Sequence, residues 1–292
     1  MALYTVQNEF LTVTVSDRGA EIQSIQDATG CEYIWQAQAP GLWEDHALIL
    51  FPICGRLWDG YCTHGEGKYF MECHGFAQFM TFSAEKRSEN ELCMILRGTE
   101  ETRRMYPFDF ELIINYRLDK NQLSCTASVK NTGEETMPFA FGLHPGFNLP
   151  LDDTDFSDWY LEFSEACQPE EILVTEEGFL TGETVVRPLE QDRILPLSHK
   201  LFDINSPLFR QISREVSMRS HKSARSVTLT FPDFPYLGIW HDERTEAPYL
   251  CIEPWYGMPS QDGQVDSLET KSDMIALAPG EEKHFLCVYT VR

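Results

Sequence analysis

The chain has 292 residues, of which 42% are hydrophobic and 12% aromatic, ample for a packed core and too apolar for a disordered chain. Forty-six acidic residues against 23 basic ones leave a formal charge of −23. Such a surface repels nucleic-acid phosphates and anionic membranes, so neither is an expected partner, and a strongly anionic substrate would need a local arginine pocket.

In chain order, the pattern is one of short strands separated by turns. Leu11 to Val15 alternates and stops at Asp17-Arg18-Gly19. Glu44 to Phe51, closed by Pro52, reads as a short helix. Phe108 to Leu118 and Leu123 to Val129 flank the polar Asp119-Lys120-Asn121-Gln122 as a hairpin, and Asn131-Thr132-Gly133 ends the second strand with turn residues. Asp152 to Asp158 and Glu170 to Glu177 read as solvated acidic loops. Ser206-Pro207, followed by Leu208, Phe209 and Ile212, reads as a short helical turn with the proline near its first position. Ser226 to Phe231, Tyr236 to Trp240, Tyr249 to Glu253 and His284 to Val291 are β-branched and aromatic runs suited to half-buried sheet surfaces. With no long amphipathic period, repeat or Gly/Ser-rich linker, residues 1–292 are expected to form one large antiparallel all-β domain.

The nine cysteines run from Cys31 to Cys287 without a C-x-x-C pair, and Cys93, Cys125, Cys251 and Cys287 sit inside apolar strand-like runs. They read as small hydrophobes in a reduced protein rather than as a disulfide framework. The opening MALYTVQNEFLTVTV has no basic stretch followed by an apolar one, and no apolar run approaches a membrane span. A cytoplasmic location is the expectation.

Several chemistries find no foothold. There is no G-x-G-x-x-G, P-loop or G-x-S-x-G. Cys62-Thr63-His64 and Cys73-His74 bring metal-ligand types together at no recognised zinc spacing, so no metal and no cofactor are expected. His199, His221, His241 and His284 have no sequence neighbour that singles them out.

What remains is a set of polar groups in rigid surroundings. These are Phe51 to Leu57 (FPICGRL), Cys73 to Ala77 (CHGFA) and Phe139 to Asn148 (FAFGLHPGFN), where His144 is bracketed by Gly142 and Pro145-Gly146. A fourth, Tyr249 to Gly257 (YLCIEPWYG), places Glu253 at the end of an apolar strand before a proline and two aromatics. Desolvation there would raise its pKa toward the range of a general base, and aromatic rings suit the C–H faces of a pyranose. A strand-end glutamate capping a turn is the plainer reading, and the residues by themselves slightly favour it.

The order and wording of these segments resemble the aldose 1-epimerase (galactose mutarotase) family. The matching text is FPICGRLWDG, CHGFA, FAFGLHPGFNLP, FPDFPYLGIW, CIEPWYG and LAPGE, with Asp17-Arg18-Gly19-Ala20 before them, so the resemblance spans essentially the whole chain. It implies a large antiparallel β-sandwich with a sugar cleft across one sheet. It implies Glu253 as general base, His144 as general acid, His74 as the second active-site histidine and Arg56 as a sugar-holding arginine. Asp233, Trp240 and Trp255 fall in segments that the family places around the cleft. Gln78 departs from the arginine often found after HGFA, and residues 258–263 do not align.

The activity so implied is interconversion of the anomers of a free aldose through the open-chain aldehyde, with a small-molecule sugar as partner and a monomer or homodimer as the assembly. Three rivals stand beside it. A hexose-6-phosphate epimerase would need a cationic cluster that Gln78 and the net charge disfavour. A non-catalytic sugar binder would have no use for both Glu253 and His144. A glycoside hydrolase would need paired carboxylates, and only Glu253 stands out.

Overall fold

The computed structural model describes residues 1–203 and 206–292. Two antiparallel sheets dominate it. The larger has nine strands in the spatial order Ile194–Pro196, Trp159–Phe163, Glu215–Ser220, Val227–Thr230, Glu282–Val291, Gln122–Asn131, Phe110–Asp119, Glu91–Arg97 and Ser83–Ser88. The second has seven, in the order Leu180–Val186, Glu170–Val174, Leu208–Arg210, Tyr236–Trp240, Tyr249–Tyr256, Phe141–Asn148 and Ala47–Leu50. A three-stranded sheet, Leu3–Gln7, Leu11–Ser16 and Ile22–Asp27, comes from the first residues of the chain. The all-β sandwich expected from the sequence is the observed fold. Among the described residues, no helix is long and apolar enough to cross a membrane.

The two large sheets meet through aromatic side chains. Phe141 of the seven-stranded sheet lies with its ring centroid 4.8 Å from that of Phe285 in the nine-stranded sheet, and Phe147 lies 6.2 Å from Tyr289. Side chains alternate along a strand, so every second residue is free to face away from this interior. On Phe141–Asn148 the interior residues are Phe141, Leu143 and Phe147; on Tyr249–Tyr256 they are Leu250 and Ile252; on Tyr236–Trp240 they are Leu237 and Ile239. The intervening positions include His144, Glu253 and Trp240, which therefore share the outer face of the seven-stranded sheet. Period-two patterning thus builds the core and turns the site residues to the opposite face of the sheet at once.

Three expectations give way. Ala47–Leu50 is a strand rather than a helix, pairing with His144 through Leu48 and with Leu143 through Ile49. All four of its residues are buried, and a run covered on both faces carries no period that separates strand from helix. Leu208–Arg210 is likewise a strand, held between Glu170–Val174 and Tyr236–Trp240; its partners, distant in sequence, override the helical cue from Pro207. Glu170–Val174 is a strand as well, because Arg210 and Arg187 neutralise Glu170 and Glu171 and let an acidic segment enter the sheet. Glu176 and Glu177 remain on the loop that follows. The hairpin holds, with Asp119 paired to Gln122 across its turn. All nine cysteines are free, and Cys93, Cys125, Cys251 and Cys287 are buried.

Candidate active site

Gly142 pairs with Trp255 and Gly146 with Cys251 on neighbouring strands. Halfway between these pairs, His144 stands across from Glu253, and its Nε2 lies 3.2 Å from the glutamate Oε2. Both are nearly enclosed, at 7% and 2% exposure. The glycines around them make room. A Cβ at Gly142 would lie 2.9 Å from the Trp255 ring, and one at Gly146 would lie 2.6 Å from the Trp43 ring. Removing two side chains from the histidine's own strand thus lets one indole approach on each side of it.

His74 completes the group, its ring centroid 5.3 Å from that of His144 and 5.4 Å from that of Trp255. It is held by an interlock of two of the segments singled out in the sequence. The His74 amide donates to the Gly55 carbonyl at 2.9 Å, and the Gly55 amide donates to His74 Nδ1 at 3.1 Å. Because Nδ1 accepts, the neutral ring carries its proton on Nε2 and presents a donor there. Gly75, at φ +77°, approaches Phe51 so closely that a Cβ would lie 2.3 Å from its carbonyl oxygen, so only glycine fits behind His74. Gln78 also serves this turn. Its side-chain amide donates to the carbonyls of Cys73 at 2.7 Å and Gly75 at 3.0 Å, one on each side of His74, whose φ is +69°.

Burial sets the electrostatics. Desolvation pushes the Glu253 carboxyl well above the usual carboxylate range; the Trp255 indole N–H beside it acts the other way and is the smaller influence. Burial also lowers the His144 imidazole to about 4. His74 is held well below its ordinary value, first by desolvation and then by the charges of His144 and Arg56. All three groups are driven toward neutral forms, and the 3.2 Å His144–Glu253 contact is short enough for a proton to pass between them.

Around this floor is a cleft of about 450 Å³. His144, Glu253, His74, Arg56, Trp240 and Trp255 all border it, so six of the seven positions implied by the resemblance converge. Arg56 is exposed at its edge and, among the described residues, has no carboxylate partner. Asp233 is the exception. Its carboxylate accepts the Leu286 amide of the nine-stranded sheet at 2.9 Å, and the neighbouring Phe234 is buried against Phe285. Asp233 therefore secures the turn that enters Tyr236–Trp240 against the nine-stranded sheet and does not line the cleft.

Residues 2–290 match the aldose 1-epimerase family. The chain belongs to the aldose 1-epimerase family. Among its relatives is Protein LacX (plasmid) of Lactococcus lactis subsp. lactis, 34% identical over 284 residues that make up 94% of each chain. Two solved structures superpose closely. A galactose mutarotase related enzyme from Lactobacillus acidophilus gives a TM-score of 0.94 at 36% identity, covering 100% of this chain and 97% of that one. A galactose mutarotase-like protein from Lactobacillus casei gives 0.94 at 30% identity, covering 100% of both.

Several side chains at the cleft of this aldose 1-epimerase family member carry no sign in the sequence, Trp43 and Asp45 among them. Trp43 lies on the segment before Ala47–Leu50, its ring centroid 4.9 Å from that of His144 and 5.7 Å from that of Trp240. A tryptophan with no other motif residue beside it carries no local sign of such a place. Asp45, on the same segment, also borders the cleft, and burial raises its carboxyl above the ordinary value. Glu72, Glu176, Glu177 and Glu243 add an acidic rim.

Proposed function

We propose that the protein interconverts the anomers of a free, unphosphorylated aldose by acid–base ring opening at Glu253 and His144. The observation that carries this reading is the 3.2 Å contact between His144 Nε2 and Glu253 Oε2 on the floor of a cleft walled by Trp43, Trp240 and Trp255. In the forward step, the Glu253 carboxylate takes the proton of the C1 hydroxyl while protonated His144 gives its proton to the ring oxygen. The C1–O5 bond breaks as the C1 carbonyl forms. Rotation about C1–C2 then presents the other carbonyl face, and closure with the roles reversed yields the other anomer.

The dyad's chemistry matches this requirement. Passage of the dyad's proton from Glu253 to His144 across their 3.2 Å contact gives the reactive carboxylate–imidazolium pair; after opening the dyad is again carboxylic acid plus imidazole. The two arrangements hold the same single proton and differ only in where it sits, so no proton need be exchanged with solvent between the half-reactions. Desolvation favours the neutral arrangement, which keeps the state with the open-chain aldehyde from being prohibitively high in energy. The His74 Nε2–H and Arg56 can donate to sugar oxygens. Indole faces match the C–H surface of a pyranose, and the acidic rim suits neutral hydroxyls better than a phosphate.

The test is NMR exchange spectroscopy between anomers, on a panel of free hexoses and pentoses beside their 6-phosphates. Acceleration of exchange for at least one free aldose, with its phosphate slower, is the expected result. A protein that binds sugars without accelerating exchange would be a binding protein on the same fold. Preference for the phosphates would move the assignment to a sugar-phosphate epimerase.

A further inference from the structure

Cys251 is a buried thiol beneath the cleft that ring opening does not use. It lies two residues from Glu253 on the strand Tyr249–Tyr256 and faces the same side of the sheet. On the adjoining strand it stands opposite Gly146, two residues from His144. A ring nitrogen of His144, the Cys251 sulfur and a Glu253 carboxylate oxygen all lie within 4.8 Å of one another, all in buried residues. An independent observation concerns His144: its Nδ1 is buried and, among the described residues, has no hydrogen-bond partner.

We propose that His144, Cys251 and Glu253 form an inhibitory binding site for a thiophilic divalent cation of the zinc class. The donor set is one nitrogen, one sulfur and one oxygen, the mixture that zinc accepts and that magnesium and calcium, which need several oxygens, do not. Zinc bonds of ~2.0–2.3 Å place tetrahedral donors ~3.4–3.7 Å apart, so contraction of the longest separation by about one ångström closes the set. Three protein ligands leave a fourth position for water or a sugar hydroxyl. Charge also balances. A thiolate, a carboxylate and a neutral imidazole around a divalent ion sum to zero, the condition for placing ionic groups in a buried site. Binding releases two protons, one from the thiol and one from the dyad. The cation then holds the Glu253 carboxylate and a His144 ring nitrogen, so neither can exchange a proton with the sugar and exchange stops.

The inhibition, but not the binding, rests on the anomer-exchange reading. The experiment therefore has two arms, both on metal-stripped full-length protein. In the first, cobalt(II) chloride replaces zinc as a spectroscopic probe and zinc chloride is titrated by calorimetry. A thiolate-to-cobalt charge-transfer band and a single tight zinc site are expected. Cys251→Ser and, separately, Cys251→Ala should abolish the band and weaken zinc binding at least about tenfold. Circular dichroism establishes that each variant is folded; because the unaltered protein has nine free thiols, should neither variant fold the band must instead be lost in folded Glu253→Gln, and its persistence there would overturn the site. In the second arm, zinc should inhibit anomer exchange in the unaltered protein, with recovery on chelation and smaller fractional inhibition in Cys251→Ser. Lack of a charge-transfer band in the native protein, or native zinc affinity in a folded Cys251→Ser, would overturn the site. The latter result would assign binding to the acidic surface. A Cys251-dependent band in a protein that accelerates no exchange would uphold the cation site and sink the epimerase reading.

Discussion

Trp43 and Gly146 share one place in the structure: the Trp43 ring lies 2.6 Å from where a Cβ at position 146 would be. That contact lets an indole from a loop stack near His144, at 4.9 Å between centroids. Gly146→Ala should therefore displace Trp43. The expected outcome is a raised KM for free aldoses with kcat less affected, and a stability loss of ~1–3 kcal/mol from overpacking. Steady-state kinetics with a denaturant melt measures both, and unchanged KM would remove Trp43 from the sugar wall.

Glu253→Gln and His144→Asn keep approximate size while removing proton transfer. Each should lower kcat by ~10²–10⁴-fold, equivalent to ~3–5 kcal/mol of barrier, and the double variant should lose little more than either single one. Additive losses would mean that the two groups do not act on one transition state. Near-native exchange by Glu253→Gln would show that another group is the base.

Arg56 sits exposed at the cleft edge without an ion-pair partner among the described residues. Arg56→Ala should weaken sugar binding, seen as a higher KM, with the melting temperature within about a degree of native because a surface cation away from core and caps contributes little stability. Unchanged kinetics would take Arg56 out of the site.

Gln78 holds the carbonyls on both sides of His74. Gln78→Ala should cost ~1–3 kcal/mol if the two carbonyls are left unsatisfied, and should lower kcat/KM by loosening His74. Gln78→Glu, which loses the donor but keeps the length, should do the same. Native kinetics in both would confine Gln78 to the fold.

Acid should destabilise the protein in a definite window. His241 is buried, its Nδ1 2.7 Å from the Asp242 carbonyl and its Nε2 3.2 Å from His199 Nδ1, and burial lowers it to about 4. Its unfolded value is ~6.5, so between the two the unfolded chain binds the extra proton. The stability is complete above about pH 6.5 and lost as pH falls toward 4, by at most ~3 kcal/mol for this group. Melts from pH 7.5 to 4.5 should show a shallower slope in His241→Gln than in the native protein. Identical slopes would assign the acid sensitivity to other groups.

Strand alternation in Leu11–Ser16 was legible in the sequence because a half-buried strand writes its two faces as a period of two, and Tyr236–Trp240 and His284 to Val291 were legible as β-branched and aromatic runs; all of these are local properties. The same holds for the hairpin turn at Lys120-Asn121 and for the glycine and proline punctuation around His144. The resemblance then named six residues that do meet at one cleft. Tertiary structure alone decided the rest. Ala47–Leu50 is covered on both faces, so its apolar run has no period to read, and only pairing with Phe141–Asn148 makes it a strand. Asp233 lies within a matching segment, yet the direction of its carboxylate depends on how the turn meets Leu286, more than fifty residues later. Trp43 reaches His144 across a hundred residues of chain because position 146 has no side chain. Spatial vacancy of that kind is a relation between distant residues, and no local stretch of sequence contains it.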